Sequence, residues 1–306
     1  MESTGKYFCA LRDKKIIIHC MSTCIRKIGI IFKRQDARIQ GIASDIVPWL
    51  QSRGVAVFLD RALADQYPAT ATYVSPEEFA QQVELVAVFG GDGTLLYAAR
   101  LVGTKGIPII GINLGNLGFL TEVRLDEMHA AFEGLLAGQY RVQERILLNV
   151  EVLRGGNVIA QYMALNDAVI NKGALARIID LEVSVNSETV LYTRADGLIV
   201  SSPTGSTAYS LAAGGPILYP TLDAFIIAPI CPHALANRPL VLPNRHVVGV
   251  CLKHGTDVML TVDGQVGMPL QQEDFLNICR AQSSLHLVLP FGSTFFKLLR
   301  EKLRWG

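Results

Sequence analysis

The sequence has no surplus of charge: 28 Lys and Arg stand against 27 Asp and Glu, a formal net charge of +1. Proteins that wrap nucleic acid or lie on anionic lipid carry a basic excess, so a small-molecule partner is expected, with no nucleic acid and no membrane. Long apolar runs are also missing. The stretch Ala224 to Cys231 contains Pro229 and is followed by Pro232, too short and too interrupted for a spanning helix. Lys14 and Lys15 precede only Ile16 to Ile18, too few for a secretory apolar region, and no small-residue cleavage site follows. A cytoplasmic protein is therefore expected. No Cys-x-x-Cys pair occurs among Cys9, Cys20, Cys24, Cys231, Cys251 and Cys279, which fits reduced thiols better than a disulfide framework or a zinc site. Cys231-Pro232-His233 has no second ligand pair at zinc spacing, and the other histidines are isolated. The G-x-x-x-x-G-K-[ST] loop is absent, and Gly111, Gly115 and Gly118 do not have G-x-G-x-x-G spacing.

What is present is a chain of 306 residues, half of them hydrophobic, enough for one large or two ordinary domains with a sizeable core. The apolar runs Ile28 to Phe32, Val55 to Leu59, Leu85 to Phe89 and Ile107 to Ile112 read as strands covered on both faces. Between them lie helical patterns from Asp36 to Ser52 and after Ser75, and another follows from Leu125 to Leu136. That alternation predicts an α/β N-terminal domain with a doubly wound parallel sheet. From Ile146 to Ser201 the period changes to short strands joined by Gly, Asn and Ser turns, which predicts an all-β C-terminal domain. A last helical segment, Phe295 to Arg300, follows Pro290-Phe291-Gly292, and its apolar face needs a partner. The expected division is an N-terminal extension over 1–24, an α/β domain over 25–143 and 283–306 completed by the returning helix, and a β-rich domain over 144–282. The extension, with Met21 as a possible start, is expected to have no folding role.

Three segments could carry chemistry. Gly90-Gly91-Asp92-Gly93-Thr94 lies where a buried strand gives way to a helical pattern. Glycines there let the backbone N–H groups approach a phosphate, and the helix start adds a favourable dipole. Asp92 would repel a polyphosphate unless it takes a proton from an attacking hydroxyl or holds magnesium. The plain alternative is a tight turn with Asp92 as N-cap. Ser201 to Ser210 (SSPTGSTAYS) offers hydroxyls and a glycine before another helical pattern, either an anion-binding helix start or a capping turn, with Tyr209 able to stack on a ring. Asn166-Asp167 interrupts an apolar strand pattern. An amide beside a carboxylate can hydrogen-bond two vicinal ribose hydroxyls, or the pair can mark a bulge.

Together with Asn113 to Leu120 (NLGNLGFL), Arg194 to Val200 (RADGLIV) and Pro229 to His233 (PICPH), these segments resemble the NAD kinase family over nearly the whole chain from Lys27. The Gly90 to Thr94 segment is shared with 6-phosphofructokinases and with diacylglycerol and sphingosine kinases; the GSTAY and NLGFL segments point to NAD kinases. The resemblance implies a site in the cleft between the two domains, often completed by a neighbouring subunit of a homodimer or homotetramer. It implies Asp92 as proton acceptor and Gly90, Gly91 and Thr94 against phosphate. For NAD it implies Gly93, Asn166, Asp167, Arg177, Arg194, Asp196, Thr207, Ala208, Tyr209, Ser210, Leu211, Ala212 and Gln265. Many members have Asn-Glu where this chain has Asn166-Asp167, so the shorter acid must reach the ribose through a backbone shift or a water. The implied reaction moves the γ-phosphoryl of ATP, or of polyphosphate, to the 2′-hydroxyl of the adenosine ribose of NAD. A divalent ion, Mg²⁺, would arrive with the donor phosphates. The alternatives are a lipid kinase of the diacylglycerol type, for which the sequence lacks a basic amphipathic helix, and a module that senses NAD(H) without turnover.

Overall fold

The computed structural model describes residues 16–17, 25–61, 70–174, 176–234, 236–290 and 292–305. Cys9, Cys20, Cys24 and Met21 lie outside the described residues, as does the extension apart from the two-residue strand β1 (Ile16–Ile17), which pairs with Val142 and Gln143.

Five parallel strands build the first half: β2 (Lys27–Phe32), β3 (Ala56–Asp60), β4 (Thr72–Val74), β5 (Leu85–Gly90) and β6 (Ile109–Asn113), in the order β4-β3-β2-β5-β6. Every residue of β5 is buried, as an unbroken apolar run requires. Its side chains alternate between two cores. Leu85, Ala87 and Phe89 join α1 (Ile39–Gln51) and α4 (Met128–Leu136) on one face. Val86 and Val88 join α2 (Pro76–Gln82) and α3 (Asp92–Val102) on the other. The sheet is therefore doubly wound, as its sequence pattern predicts. Two helix starts come later than expected. Asp36 accepts from the Arg38 N–H and side chain, an Asx-type turn that competes with the helix, so α1 begins at Ile39. The two-residue strand β7 (Val123–Arg124) pairs with β6, and Leu125–Glu127 form a short 3-10 turn before α4.

The second half contains β8 (Arg141–Arg154), β9 (Asn157–Ala164), β10 (Asp167–Lys172), β11 (Ile179–Val185), β12 (Glu188–Ala195) and β13 (Gly197–Ser201). The four-residue helix α5 (Tyr209–Ala212) follows, then β14 (Ala224–Ile230), β15 (Leu240–Pro243), β16 (Val248–His254), β17 (Val258–Val262), β18 (Val266–Leu270) and β19 (Phe275–Leu289). A six-stranded antiparallel sheet, β15-β14-β13-β10-β17-β18, faces the other strands of this half across a shared core. The chain ends in α6 (Phe295–Leu303), capped by Thr294. Its Lys297, Leu298 and Glu301 line a groove with Ala130, Ala131 and Gly134 of α4, so the last helix returns to the first half.

The halves are not separate sheets. β19 pairs along its length with β8, while its other edge meets β16 through Phe275–Ile278 and β6 through Leu287–Val288. Among the described residues one sheet of thirteen strands runs through both halves.

Candidate active site

At the end of β5, Gly91 caps α3 with an extended backbone and no side-chain bond. Asp92 is the first helical residue rather than the cap, and its carboxylate turns away from its own helix. The Phe119 N–H donates to Asp92 Oδ2 at 2.8 Å; the Leu120 N–H, Thr121 N–H and Thr121 Oγ1 donate to Oδ1 at 3.0, 3.1 and 3.1 Å. The loop from Asn113 wraps around that carboxylate and is braced by its own side chains. Asn113 is buried, donating to Thr121 Oγ1 and accepting from the Gly115 N–H. Gly118 passes so close that a Cβ there would stand 2.0 Å from Asp92 Oδ1. Oδ1 is saturated by three donors. Oδ2, with one, keeps a lone pair.

Beside this carboxylate the first N–H groups of α3 have no side-chain cap, as helix starts leave them. A cavity of about 960 Å³ opens there, lined by Lys33, Arg34, Arg100, Tyr97, Gly93 and Thr94. Gly90 itself is packed, since a Cβ on it would meet Thr94 Oγ1. The second half reaches this point through Gln265, whose Nε2 donates to the Gly93 carbonyl at 2.5 Å and whose Oε1 accepts from Arg100 at 3.1 Å.

The turn that carries Gln265 also holds Asn166-Asp167. Asp263 accepts from the N–H groups of Leu165, Asn166 and Asp167 at 2.9, 2.7 and 3.1 Å. The pair is not a bulge: Asp167 opens β10 in regular register with Ser201. Asp167 is buried, and burial, with the Asp263 charge second, pushes its carboxyl up to about 7. Burial likewise raises the Asp263 carboxyl, opposed by its three N–H donors.

The hydroxyls of the Ser201 to Ser210 segment are mostly committed to the fold. Ser201 and Ser202 donate to the carbonyls of Asn166 and Leu165, Ser206 to that of Pro203, and Thr207 to that of Thr204. Thr204–Thr207 form a 3-10 turn and α5 has only four residues, so this segment is not an extended helix start. Tyr209 stays exposed, and Ser210 Oγ is buried without a hydrogen-bond partner.

Three expected site residues lie elsewhere. Lys172, at the far end of β10 from Asp167, pairs with Asp196 at 3.6 Å, and Arg194 pairs with Asp180 at 2.9 Å. Five residues of strand at ~3.3 Å each separate the ends of β10 by about 17 Å. Arg194 and Asp196 sit at that far end and Arg177 is exposed near it.

One group had no motif to announce it. Arg145 on β8 is buried and reaches toward Thr204 Oγ1 at 3.5 Å, while its Nε has no partner. Burial pulls its guanidinium down to about 10, against the opposing charge of Glu122. Burial raises Glu122 in turn, and Ser293 Oγ donates to it. Glu122 follows the loop that holds Asp92, and Thr204 begins the Thr204–Ala212 segment, so Arg145 stands between the two. The exposed Cys231 and the half-buried Cys251 and Cys279 are free thiols. No group of three or more metal-ligating side chains occurs among the described residues, and none of their helices is long and apolar enough to cross a membrane.

A carboxylate with one open lone pair can take a hydroxyl proton, and the next residues of its helix, Gly93 and Thr94, line a cavity with three cations that can neutralise phosphate charge. That is the equipment of a phosphotransferase with an alcohol acceptor. The ATP-NAD kinase N-terminal domain family model matches residues 28–140 and the C-terminal domain model residues 165–289, and the chain belongs to the NAD kinase family. It is 47% identical over 283 residues to the NAD kinase of Geobacter sulfurreducens, covering 92% of this chain and 99% of that one. With the NAD kinase of Syntrophotalea carbinolica it shares 42% over the same proportions. In fold it matches yeast NADH kinase complexed with NADH, with a TM-score of 0.86 at 24% identity over 93% of this chain and 89% of that one. An Archaeoglobus fulgidus NAD kinase in complex with ATP gives 0.71 at 24% identity over 91% and 98%. Relatives of one activity along nearly the whole length favour neither the lipid kinase nor the sensing module.

Proposed function

We propose that the chain transfers the γ-phosphoryl group of Mg-ATP to the 2′-hydroxyl of the adenosine ribose of NAD, giving NADP and ADP. The observation that carries this reading is the meeting, at one turn, of Gly93 beside Asp92 with the Asn166-Asp167 pair. Asn166 and Asp167 bond the ribose hydroxyls. Asp92 Oδ2 takes the 2′-hydroxyl proton as the oxygen attacks the γ-phosphorus and the bond to the β-phosphate oxygen breaks. The donor phosphates lie in the cavity at the start of α3, with Lys33, Arg34 and Arg100 offsetting their charge. Positioning and electrostatic stabilisation supply most of the rate in such transfers.

The acids that line this cavity, Asp36 and Asp60, both have partners, which fits an ion carried in on phosphate oxygens better than one held in a protein cage. Such an ion would supply positive charge to offset that of the phosphates, beside the charge supplied by Lys33, Arg34 and Arg100. Tyr209 and Ser210, with Thr207, Ala208, Leu211 and Ala212, line the dinucleotide path. The distance of Arg177, Arg194 and Asp196 from Asp167 supports a homodimer or homotetramer in which a neighbouring copy brings these residues to the NAD. We infer a cytoplasmic enzyme from the charge balance and the cysteine pattern.

Incubation with Mg-ATP and NAD, followed by detection with an NADP-specific dehydrogenase, tests the reading: NADP forms in proportion to enzyme. Absence of NADP together with phosphorylation of a diacylglycerol would overturn it.

A further inference from the structure

Asp263 is the first central residue of the turn from Val262 to Gln265, closed by the Gln265 N–H on the Val262 carbonyl at 3.0 Å. Its φ of 51° and that of Gly264, 64°, put both residues in the left-handed region within the three-residue hairpin connection from β17 to β18. Asn, Asp and Gly are the residues that most readily adopt a positive φ at such a position. The turn itself therefore needs no carboxylate. Yet this carboxylate receives three backbone N–H groups, from Leu165, Asn166 and Asp167, and lies against a second buried acid, Asp167. Placing two acids together carries an electrostatic cost, so the arrangement does something a neutral turn residue would not. Resting on the reading of Asn166-Asp167 as the ribose site, we propose that Asp263 is the positioning residue of that site, fixing the backbone from which both side chains project.

The geometry supports this from both sides of the segment. Asp263 holds the N–H edge of residues 165–167, while Ser201 Oγ and the Ser202 N–H hold the Asn166 carbonyl at 3.2 and 2.8 Å. The segment is thereby immobilised before any ribose arrives, which lowers the ordering cost of binding. Two residues on, Gln265 bonds Gly93, so one hairpin turn sets the distance between the acceptor pair and the phosphate loop. The charged groups facing Asp263 are Asp167 from β10 and Arg100 from α3. Removing the Asp263 charge lowers the pH at which Asp167 ionises.

The test uses the full chain with Asp263→Asn and Asp263→Gly, both favoured in this turn, so neither strains the hairpin. An amide oxygen keeps part of the grip, and glycine keeps none. The expected order for KM of NAD is wild type, then Asn, roughly tenfold higher, then Gly, higher again, with KM of ATP within about twofold throughout. In Asp263→Asn the acid limb of kcat/KM for NAD moves to lower pH. The midpoint of the Asp167 carboxyl, followed by ¹³C NMR and assigned with Asp167→Asn, moves the same way. Equal rises in KM for NAD and ATP, or losses that only track a lowered melting temperature, would overturn the proposal. So would an unmoved Asp167 midpoint in both variants. The NMR titration needs no turnover: a wild type that makes no NADP would defeat the kinase reading, while Asp263 would still be judged on its control of Asp167.

Discussion

The two glycine-bearing loops of the site use glycine for opposite ends. In the first, a Cβ added at Gly91 meets nothing within 4 Å, and at Gly93 only Gln265 Nε2 at 3.9 Å. In the second, a Cβ at Gly205 would stand 2.2 Å from the Asn166 carbonyl oxygen and one at Gly215 would stand 2.4 Å from Ser210 Oγ. Gly91 and Gly93 are bare so that something can approach them, although Gly90 of the same loop is packed against Thr94, and Gly205 is bare so that the second loop can lie against the Asn166 backbone. Composition alone does not separate these uses. A hydroxyl-rich, glycine-bearing segment at a helix start reads as an anion site, but Ser201 to Ser210 spends most of its hydroxyls on carbonyls that fix the acceptor side.

The sharpest test of the first loop is its acid. Asp92→Asn is expected to lower kcat by a factor on the order of 10² to 10⁴, the range for loss of a general base, and to leave NAD affinity nearly intact by calorimetry. Near-normal turnover would remove Asp92 from proton transfer. In the second loop the fold is expected to suffer first. Gly205→Ala forces a methyl group into the backbone of Asn166, at about 1–3 kcal/mol for overpacking, so the melting temperature falls; an unchanged melt would mean that the loop has room to lift.

Asp167 lies on the side that the second loop supports. Its folded carboxyl sits at about 7, above its unfolded value, so the folded protein binds the extra proton between the two and is destabilised as pH rises through 7. Asp167→Asn should melt higher than wild type at pH 8, with the gain shrinking toward pH 5. The same change should weaken NAD by roughly 1 to 3 kcal/mol, for loss of hydrogen bonds to a charged group, with little effect on ATP. Equal weakening of both nucleotides would make the pair a support of the fold instead. The smallest effect on stability belongs to Gly91→Ala. Its backbone, at φ −105° and ψ −172°, suits alanine, so stability should stay within about 0.5 kcal/mol while KM for ATP rises. A lowered melt with normal ATP kinetics would erase the contrast between the loops.

The strands of the first half were legible because fully buried strands are written as unbroken apolar runs, and Leu85 to Phe89 is such a run. Asp92 was legible because three glycines around an acid have few uses. Its surroundings were not: three of the four donors on Asp92 are backbone N–H groups, which any residue supplies, so only Asn113, Gly118 and Thr121 hint at the cradle. Asp263 was hidden for a related reason, since Asp-Gly between two apolar runs reads as an ordinary hairpin turn. Arg145 and Glu122 stand in strand and loop without a motif, and only their burial together gives them meaning. The apolar pattern of β8 showed a strand from Ile146, whereas β19 was not picked out, and nothing showed that each would run on from one half into the other.

The position of β19 bears on how the chain is made. A ribosome delivers residues in order, at roughly 5–20 per second. The five parallel strands of the first half are complete once residue 113 has emerged, yet β6 keeps an open edge where Leu287 and Val288 will pair, and β8 lacks its longest neighbour. An unpaired edge is an invitation to pair with another chain. The α/β half thus waits, exposed on one side, through the synthesis of the whole β half. It closes only when the last strand is inserted between partners made long before, and a nascent chain stopped short of residue 289 leaves both halves open at the same seam.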